Sequence, residues 1–112
     1  DVLVIKPAAL GGLRSAQALA AEAARAGVDF YVTSMLDSAY GVAAATHLAA
    51  ALPAAALAHG LATAALFSFD LARSPLPDGG WLSVPTAPGW GIEADAAGLE
   101  RARAGQSIEV GA

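Results

Sequence analysis

The chain has 112 residues and a net charge of −4, with 56% hydrophobic residues and only 14% charged ones. Without a basic cluster, nucleic acid is excluded as an expected partner, and the lack of cysteine excludes disulfides and thiolate metal sites. This length supports one small domain with a real core, and so few charges predict either extensive burial or reliance on a partner.

The first predicted strand covers Val2 to Lys6 and is followed at once by Pro7. Its unbroken apolar run is typical of a strand buried on both faces in a parallel sheet. An unpaired ammonium is costly inside such a sheet. We therefore expect Lys6 to reach the polar mouth at the carboxyl end of the strand, where α/β barrels place their chemistry. A lysine that simply reaches solvent is the alternative.

The start at Asp1, directly before a strand, is interpreted as the start of a piece of a longer polypeptide.

Two helices and a second strand follow. The composition predicts a helix from Leu13 to Ala26, ended by Gly27, and a strand from Val28 to Met35. A second helix is predicted from Ser38 to Leu52, because the proline that follows stops it.

A third unit consists of a short strand around Leu57 to Leu61 and a short helix within Ala62 to Phe69. Alternating strands and helices predict parallel strands with right-handed crossovers. The fold class is therefore α/β, and about three βα units are a portion of a TIM-type (β/α) barrel. An open doubly wound sheet has the same order and remains an alternative.

From Arg73 onward, turn residues dominate, so we expect residues 1–72 to form the barrel part and residues 73–112 a tail. The predicted elements of the tail are a strand over Trp81 to Val84, a helix over Ala96 to Ala104 capped by Asp95, and a strand over Ser107 to Val110.

Further polar groups lie where the second and third predicted strands end. Ser34 and Asp37 follow the second strand, and Gly60 ends the third. The carboxyl ends of parallel strands meet at one edge, so we expect Lys6, Ser34 and Gly60 to converge there. Asp37 is expected to pair with Lys6 or to bind a substrate hydroxyl. Capping of the second helix by Asp37 or Ser38 is an equally weighted alternative.

The remaining candidates favour structure. His47 and His59 lack partners at metal-ligand spacing, so structural roles are predicted for both. Gly11 and Gly12 precede a helix, but a turn without a ligand is favoured over an anion site. The stretch from Val42 to Leu57 is interrupted by polar residues and a proline, so no membrane partner is expected. No leader is recognised, and the lack of cysteine fits a cytoplasmic location.

Five stretches together resemble the C-terminal part of the enolase superfamily, in the branch of muconate lactonizing enzymes and o-succinylbenzoate synthases. They are Val4 to Gly12, Val32 to Gly41, Thr46 to Ala51, His59 to Thr63 and Pro88 to Ile92, in order and at fitting spacing. The resemblance implies barrel strands six to eight, followed by a tail that returns to an N-terminal capping domain. Lys6 would be the catalytic lysine of strand six. The family's other lysine and its acidic Mg²⁺ ligands have no counterpart in this chain and are expected in an N-terminal part.

The activity implied by the resemblance is that of a carbon–oxygen lyase in menaquinone biosynthesis. Mg²⁺ assists removal of a proton next to a carboxylate, and loss of water gives o-succinylbenzoate. Lys6 would hold its ammonium against the ring of the anionic intermediate. Ser34, Asp37 and the backbone near Gly60 would bind the substrate, although Asp37 stands where glutamate is common in the family.

Two alternatives stay open: an N-acylamino acid racemase or dipeptide epimerase on the same scaffold, and an inactive barrel fragment. In the racemase, the Lys6 position acts as a second base on the opposite face of the substrate. The expected partners are a small carboxylate substrate, the remainder of the barrel and its capping domain, with a second copy of the chain as a further alternative.

Overall fold

A computed structural model describes residues 1–53 and 55–105 of the chain. Its elements are β1 (Val2–Ile5), α1 (Leu13–Arg25), β2 (Asp29–Val32), α2 (Ala39–Ala51), a 3₁₀ helix (Thr63–Leu66) and α3 (Ala96–Ala102). No helix within these residues combines the length and the apolar character that crossing a bilayer requires.

The strands β1 and β2 are parallel neighbours connected through α1, as the sequence predicts. Their register pairs Val2 with Asp29 and Ile5 with Val32. Helix α1 ends where predicted, because Gly27 adopts a φ of +68°, which side chains disfavour and glycine tolerates.

The core lies on one face of this sheet. Ile5, Phe30 and Val32 are buried against alanines of α1 and α2, and alternate residues of a strand point to opposite faces. On the other face, Val2 and Val4 remain 47% and 42% exposed. The expectation that β1 is buried on both faces is therefore wrong for the described residues, because the helices cover only the face that carries Ile5.

The expected third strand is reduced to one parallel bridge between Thr33 and Gly60. In a continuing parallel ladder, the amide of Val32 would donate to the carbonyl of Ala58. Instead it donates to Nδ1 of His59 at 3.0 Å. A side chain thus replaces the backbone partner and ends the ladder. The short helix expected after this strand is present as the 3₁₀ helix.

Helix α2 begins after Ser38, close to the predicted position, but a residue distant in sequence caps it. Neither of the two predicted residues caps it: the Ser38 side chain makes no capping bond, and Asp37 accepts from Met35 instead. The first amide of the helix, at Ala39, donates to Oδ1 of Asp70 at 2.9 Å. The predicted local cap is therefore replaced by a carboxylate supplied from after the 3₁₀ helix.

The tail contains a tight turn and a short helix. Two backbone bonds of 2.8 and 2.9 Å between Asp78 and Trp81 close a turn over two glycines with positive φ, typical of a hairpin connection. The strand predicted over Trp81 to Val84 does not extend beyond this bridge.

Helix α3 begins as predicted, because Oδ1 of Asp95 accepts from the amides of Ala97 and Gly98. An antiparallel bridge between Ala72 and Ala94 joins the tail to the preceding segment. The strand predicted over Ser107 to Val110 lies outside the described residues, and the division at residue 72 stays a prediction.

Candidate active site

Lys6, Thr33 and Gly60 occupy one row at the carboxyl end of the parallel segments. The β1–β2 register pairs Ile5 with Val32, so Lys6 stands opposite Thr33. The amide of Thr33 donates to the carbonyl of Ile5 at 2.9 Å, which is the first of the two bonds of this pair. The second would need an N–H at residue 7, and Pro7 has none. The proline therefore ends the ladder one step before Lys6.

The same row determines which side chains share a face. Residues paired across a sheet point to the same side, and neighbours along a strand alternate. Lys6 and Thr33 therefore lie on the open face with Val2 and Val4. A Cβ built on Gly60 would lie 3.0 Å from Oγ1 of Thr33, so the glycine leaves space beside that hydroxyl. We call this polar surface at the three positions, where Gly60 carries no side chain beside the Thr33 hydroxyl, the hollow.

Ser34 lies on the opposite face, which the sequence analysis did not expect. Only 2% of its surface is exposed. Its hydroxyl lies 2.8 Å from Oγ1 of Thr63 and donates to the carbonyl of Gly60 at 3.3 Å. The expectation that this hydroxyl shares the hollow with Lys6 is therefore corrected. Thr33 is the residue that the sequence reasoning missed, and strand alternation relative to buried Val32 is the signal that identifies it.

The backbone of Gly60 is already engaged in the sheet. Its amide donates to the carbonyl of Val32 at 2.9 Å, and its carbonyl accepts from the amide of Ser34 at 3.0 Å. The structure does bring Gly60 beside the Lys6 row, as expected. Its amide, however, points along the sheet to a neighbouring strand and not into the hollow.

Asp37 organises the loop that leads into α2. Its Oδ2 accepts from the amide of Met35 at 3.0 Å. A Cβ on Gly41 would lie 2.7 Å from Cβ of Asp37, so the glycine allows this carboxylate to pack on the first turn of α2. The expected pair between Asp37 and Lys6 is not formed: within residues 1–53 and 55–105, the ion pairs are Arg25–Glu22 and Arg103–Glu100. The substrate-binding roles of Ser34, Asp37 and Gly60 stay predictions.

Both histidines make structural contacts. Burial lowers the pKa of His59 below its ordinary value, because desolvation disfavours the charged imidazolium. Its Nδ1 accepts from the Val32 amide, which also requires an unprotonated nitrogen there. His47 lies 3.3 Å through Nε2 from the carbonyl of Trp90, and the two rings are tilted at a centroid distance of 6.0 Å. These contacts agree with the predicted structural roles.

The donor groups in the described part of the chain decide whether it can hold a metal ion. A stable site for a divalent cation needs several oxygen or nitrogen ligands that converge. Within the part that the structure describes, no three His, Asp or Glu side chains lie close enough together to hold an ion. These residues therefore do not fit a magnesium site by themselves.

The curated proteins that resemble the chain in sequence carry the same name. The chain is 46% identical over 84 residues to the o-succinylbenzoate synthase of Mycobacterium tuberculosis, covering 75% of this chain and 25% of that protein. It is 44% identical over 89 residues to the synthase of Mycobacterium leprae, covering 79% and 26%. It is 43% identical over 76 residues to that of Thermobifida fusca, covering 68% and 23%. The chain thus spans about a quarter of the length of these relatives.

Solved structures show the same fold. Muconate lactonizing enzyme from Pseudomonas putida superposes with a TM-score of 0.83 at 27% identity, over 89% of this chain and 28% of that one. The N-succinyl Arg/Lys racemase of Bacillus cereus superposes with a TM-score of 0.84 at 27% identity, over 96% and 28%. Residues 1–98 match the family described as Enolase C-terminal domain-like. The resemblance drawn from the sequence is confirmed, and the chain belongs to the enolase C-terminal domain-like family.

Proposed function

We propose that this chain is the C-terminal part of the barrel of an o-succinylbenzoate synthase-like lyase, with strands six to eight of the barrel in residues 1–72. The parallel β1–α1–β2 unit supports this placement, as does the identity of 46% to a synthase of which the match covers 25%. The remainder of the barrel and a capping domain would then cover the open face, on which Val2 and Val4 are exposed.

Lys6 is the residue that we propose to act on the substrate. The observation that carries the proposal is its place: the chain's single lysine stands at the carboxyl end of β1, in one row with Thr33 and Gly60. In the proposed reaction, a proton leaves the carbon next to a carboxylate, and a carbon–oxygen bond then breaks to release water. The ammonium of Lys6 would stabilise the negative charge of the intermediate, since charge stabilisation by a preorganised group is a large part of catalysis.

The other predicted residues are proposed to shape the rim of the hollow. Ser34 and Gly60 hold the ends of β2 and the bridged segment together, and Asp37 fixes the loop before α2. Mg²⁺ is expected from the family, but the described residues do not build its site. We therefore propose that its ligands lie outside them and assign it no step.

A racemase of N-acylated amino acids is the second candidate. It is supported by the superposition on the N-succinyl Arg/Lys racemase, with a TM-score of 0.84 over 96% of this chain. In that reaction, Lys6 would exchange a proton with the α-carbon of the substrate. The identity to this racemase is 27%, against 43–46% to the synthases, so the lyase is the better supported of the two.

The proposal is tested by complementation. The chain is co-expressed with the N-terminal three-quarters of the Mycobacterium tuberculosis synthase, and the assembled protein is assayed for dehydration of the cyclohexadiene carboxylate. In parallel, α-proton exchange is followed on N-succinyl-arginine and N-succinyl-lysine in D₂O. We expect dehydration to fall on the order of 100-fold in Lys6→Met. The matched control Arg14→Met removes an exposed charge on α1 and should leave the rate unchanged.

The other outcomes contradict the proposal in distinguishable ways. Exchange without dehydration in the assembled protein would support the racemase. An assembled protein without either activity would support the inactive fragment. The 112-residue chain alone should show no turnover, because its described residues offer no metal cluster. Turnover by the chain alone would overturn the proposal that the metal ligands lie elsewhere.

A further inference from the structure

We propose that Thr63 and Asp70 are positioning residues that hold two neighbouring parts of the candidate site together as one unit. The first part is the rim loop, residues 34–38, between β2 and α2. The second is the rim segment, residues 63–70, which begins with the 3₁₀ helix. The role of this unit in substrate binding rests on the proposed function. Its cohesion follows from hydrogen bonds within the chain and can be measured without any reaction.

Thr63 connects the two parts at their first residues. The Ser34 hydroxyl, at the start of the rim loop, lies 2.8 Å from Oγ1 of Thr63, which is the first residue of the 3₁₀ helix. The same serine bonds to the carbonyl of Gly60 through its amide at 3.0 Å and through its hydroxyl at 3.3 Å. Since only 2% of Ser34 is exposed, water cannot easily replace these partners.

Asp70 connects the two parts at their other ends. Its Oδ1 accepts from the amide of Ala39 at 2.9 Å, and Ala39 is the residue at which the rim loop enters α2. The same oxygen accepts from the amide of Leu71 at 2.6 Å, so the carboxylate is also fixed to its own backbone. The end of the rim segment therefore cannot leave α2 without removing the bond to the first amide of that helix.

Each part is also bonded internally between these two connections. In the rim loop, Oδ2 of Asp37 accepts from the amide of Met35 at 3.0 Å. In the rim segment, the amide of Phe67 donates to the carbonyl of Ala64 at 3.2 Å, and Ala64 is buried. The 3₁₀ helix packs against α2. Short segments that are bonded internally and at both ends open as cooperative units, so we expect the loop and the segment to open together.

The unit lies at the edge of the sheet where a barrel enzyme binds its substrate. The rim loop follows the carboxyl end of β2, and the rim segment follows Gly60, which is bridged to Thr33. Connections at this end of the strands supply the binding residues of α/β barrels. Lys6 follows β1 and is not part of the unit. A looser unit should therefore impair substrate binding more than the chemical step.

Hydrogen exchange of individual amides tests whether the unit is cooperative. The 112-residue chain is labelled with ¹⁵N, and exchange is measured by NMR at the amides of Ser34 and Ala39, one at each connection. Thr63→Val removes the hydroxyl and keeps the branched shape, whereas Thr63→Ser keeps the hydroxyl. Ser68→Ala, at an exposed position of the rim segment, is the matched control.

We expect exchange at both amides to rise about 5-fold in Thr63→Val, the factor for one ordinary hydrogen bond. A unit that opens as a whole has one opening free energy, so the loss of one bond changes both rates by the same factor. Thr63→Ser and Ser68→Ala should retain the original rates. A rise at only one of the two amides would overturn the proposal, as would unchanged rates. An equal rise at the amide of Ala20, in the middle of α1, would indicate global unfolding and would overturn it too.

Asp70→Ala is an independent variant at the other connection, and it decides the question if Thr63→Val does not fold. We expect faster exchange at the amide of Ala39 and, by about the same factor, at the distant amide of Ser34. Asp70→Asn keeps an acceptor oxygen and should have a smaller effect on both. An effect confined to Ala39 would show that Asp70 is a local helix cap alone, which contradicts the proposal.

Failure of this inference and failure of the proposed function are separable. In the complemented enzyme, Thr63→Val should raise KM with little change in kcat, because a binding site depends on the residues that hold its walls in place. Thr63→Ser should restore KM. If the two amides respond together but the enzyme does not dehydrate, the unit stands and the proposed function fails. If dehydration is observed but the amides respond separately, or KM is insensitive to Thr63→Val, the function stands and this inference fails.

Discussion

Nδ1 of His59 lies 3.0 Å from the backbone nitrogen of Val32 and accepts its hydrogen. The imidazole takes the position that a backbone carbonyl would hold in a longer parallel ladder. It therefore contributes to the sheet as a neutral ring, and the stability of the sheet edge depends on its protonation state.

This contact predicts that acidification destabilises the fold. Burial lowers the pKa of His59 from its ordinary value of 6.5. Below pH 6.5, the unfolded chain therefore binds a proton on this ring that the folded chain does not, and the free energy of unfolding falls until the lowered pKa is reached. Above pH 6.5, the contribution of His59 to stability is fully present.

Urea unfolding followed by circular dichroism between pH 8 and pH 5 measures this dependence. His59→Asn is the matched variant, because its side-chain oxygen can accept from the Val32 amide and does not titrate. We expect a flatter dependence on pH in the variant. Equal slopes in the two proteins would show that His59 does not carry the effect.

The buried hydroxyl of Ser34 should contribute to stability. It lies 2.8 Å from Oγ1 of Thr63, and its residue is 2% exposed. Ser34→Ala leaves the Thr63 hydroxyl without this partner and should lower the free energy of unfolding by about 1–2 kcal/mol. Ser68→Ala, at an exposed position, should change it by less than about 0.5 kcal/mol. Urea titration of both variants checks the difference, and equal losses would contradict the buried bond.

Asp70 should stabilise the start of α2. Its Oδ1 accepts from the amides of Ala39 and Leu71 at 2.9 and 2.6 Å. Asp70→Ala should lower the free energy of unfolding by about 1–2 kcal/mol, as the loss of a helix cap does. Asp70→Asn keeps an acceptor oxygen and should lower it by less. Hydrogen exchange at the Ala39 amide gives the local readout: faster exchange in the alanine variant is expected. Unchanged protection there would mean that Asp70 is not the cap.

The docking of α3 should depend on Gly98. A Cβ on this residue would collide with the backbone carbonyl of Asp70, so the helix approaches that segment only through glycine. In Gly98→Ala, we expect α3 to detach and trypsin to cleave faster after Arg101, whose guanidinium lies 4.1 Å from the ring centre of Phe69. Gly105→Ala meets no neighbouring atom of the described residues and is the control. Equal digestion rates in the two variants would contradict this packing.

The order of elements and the parallel pairing could be predicted from the sequence, because periodicity, glycine ends and the Asp95 cap are local signals. Which side chains share the hollow could not be predicted from the sequence. That depends on the register between strands, and a shift of one residue exchanges the two faces. Ser34 was expected there, whereas Thr33 occupies the position.

Two further features escaped prediction because their partners are distant in sequence. Asp70 caps a helix that begins 31 residues earlier, and His59 bonds to a strand 27 residues earlier. Asp70 takes the place of the predicted local cap, and the His59 ring takes the place of a backbone carbonyl. Such replacements leave no periodic signal, so the predicted local cap was wrong and the predicted third strand is present only as one parallel bridge.

The proline after Lys6 has one more effect. In an unbroken ladder, the carbonyl oxygen of Thr33 would accept the N–H of residue 7, and proline has none. No residue in the described segments donates to this oxygen. The carboxyl end of β2 therefore keeps a backbone acceptor that a donor from outside the described residues can engage.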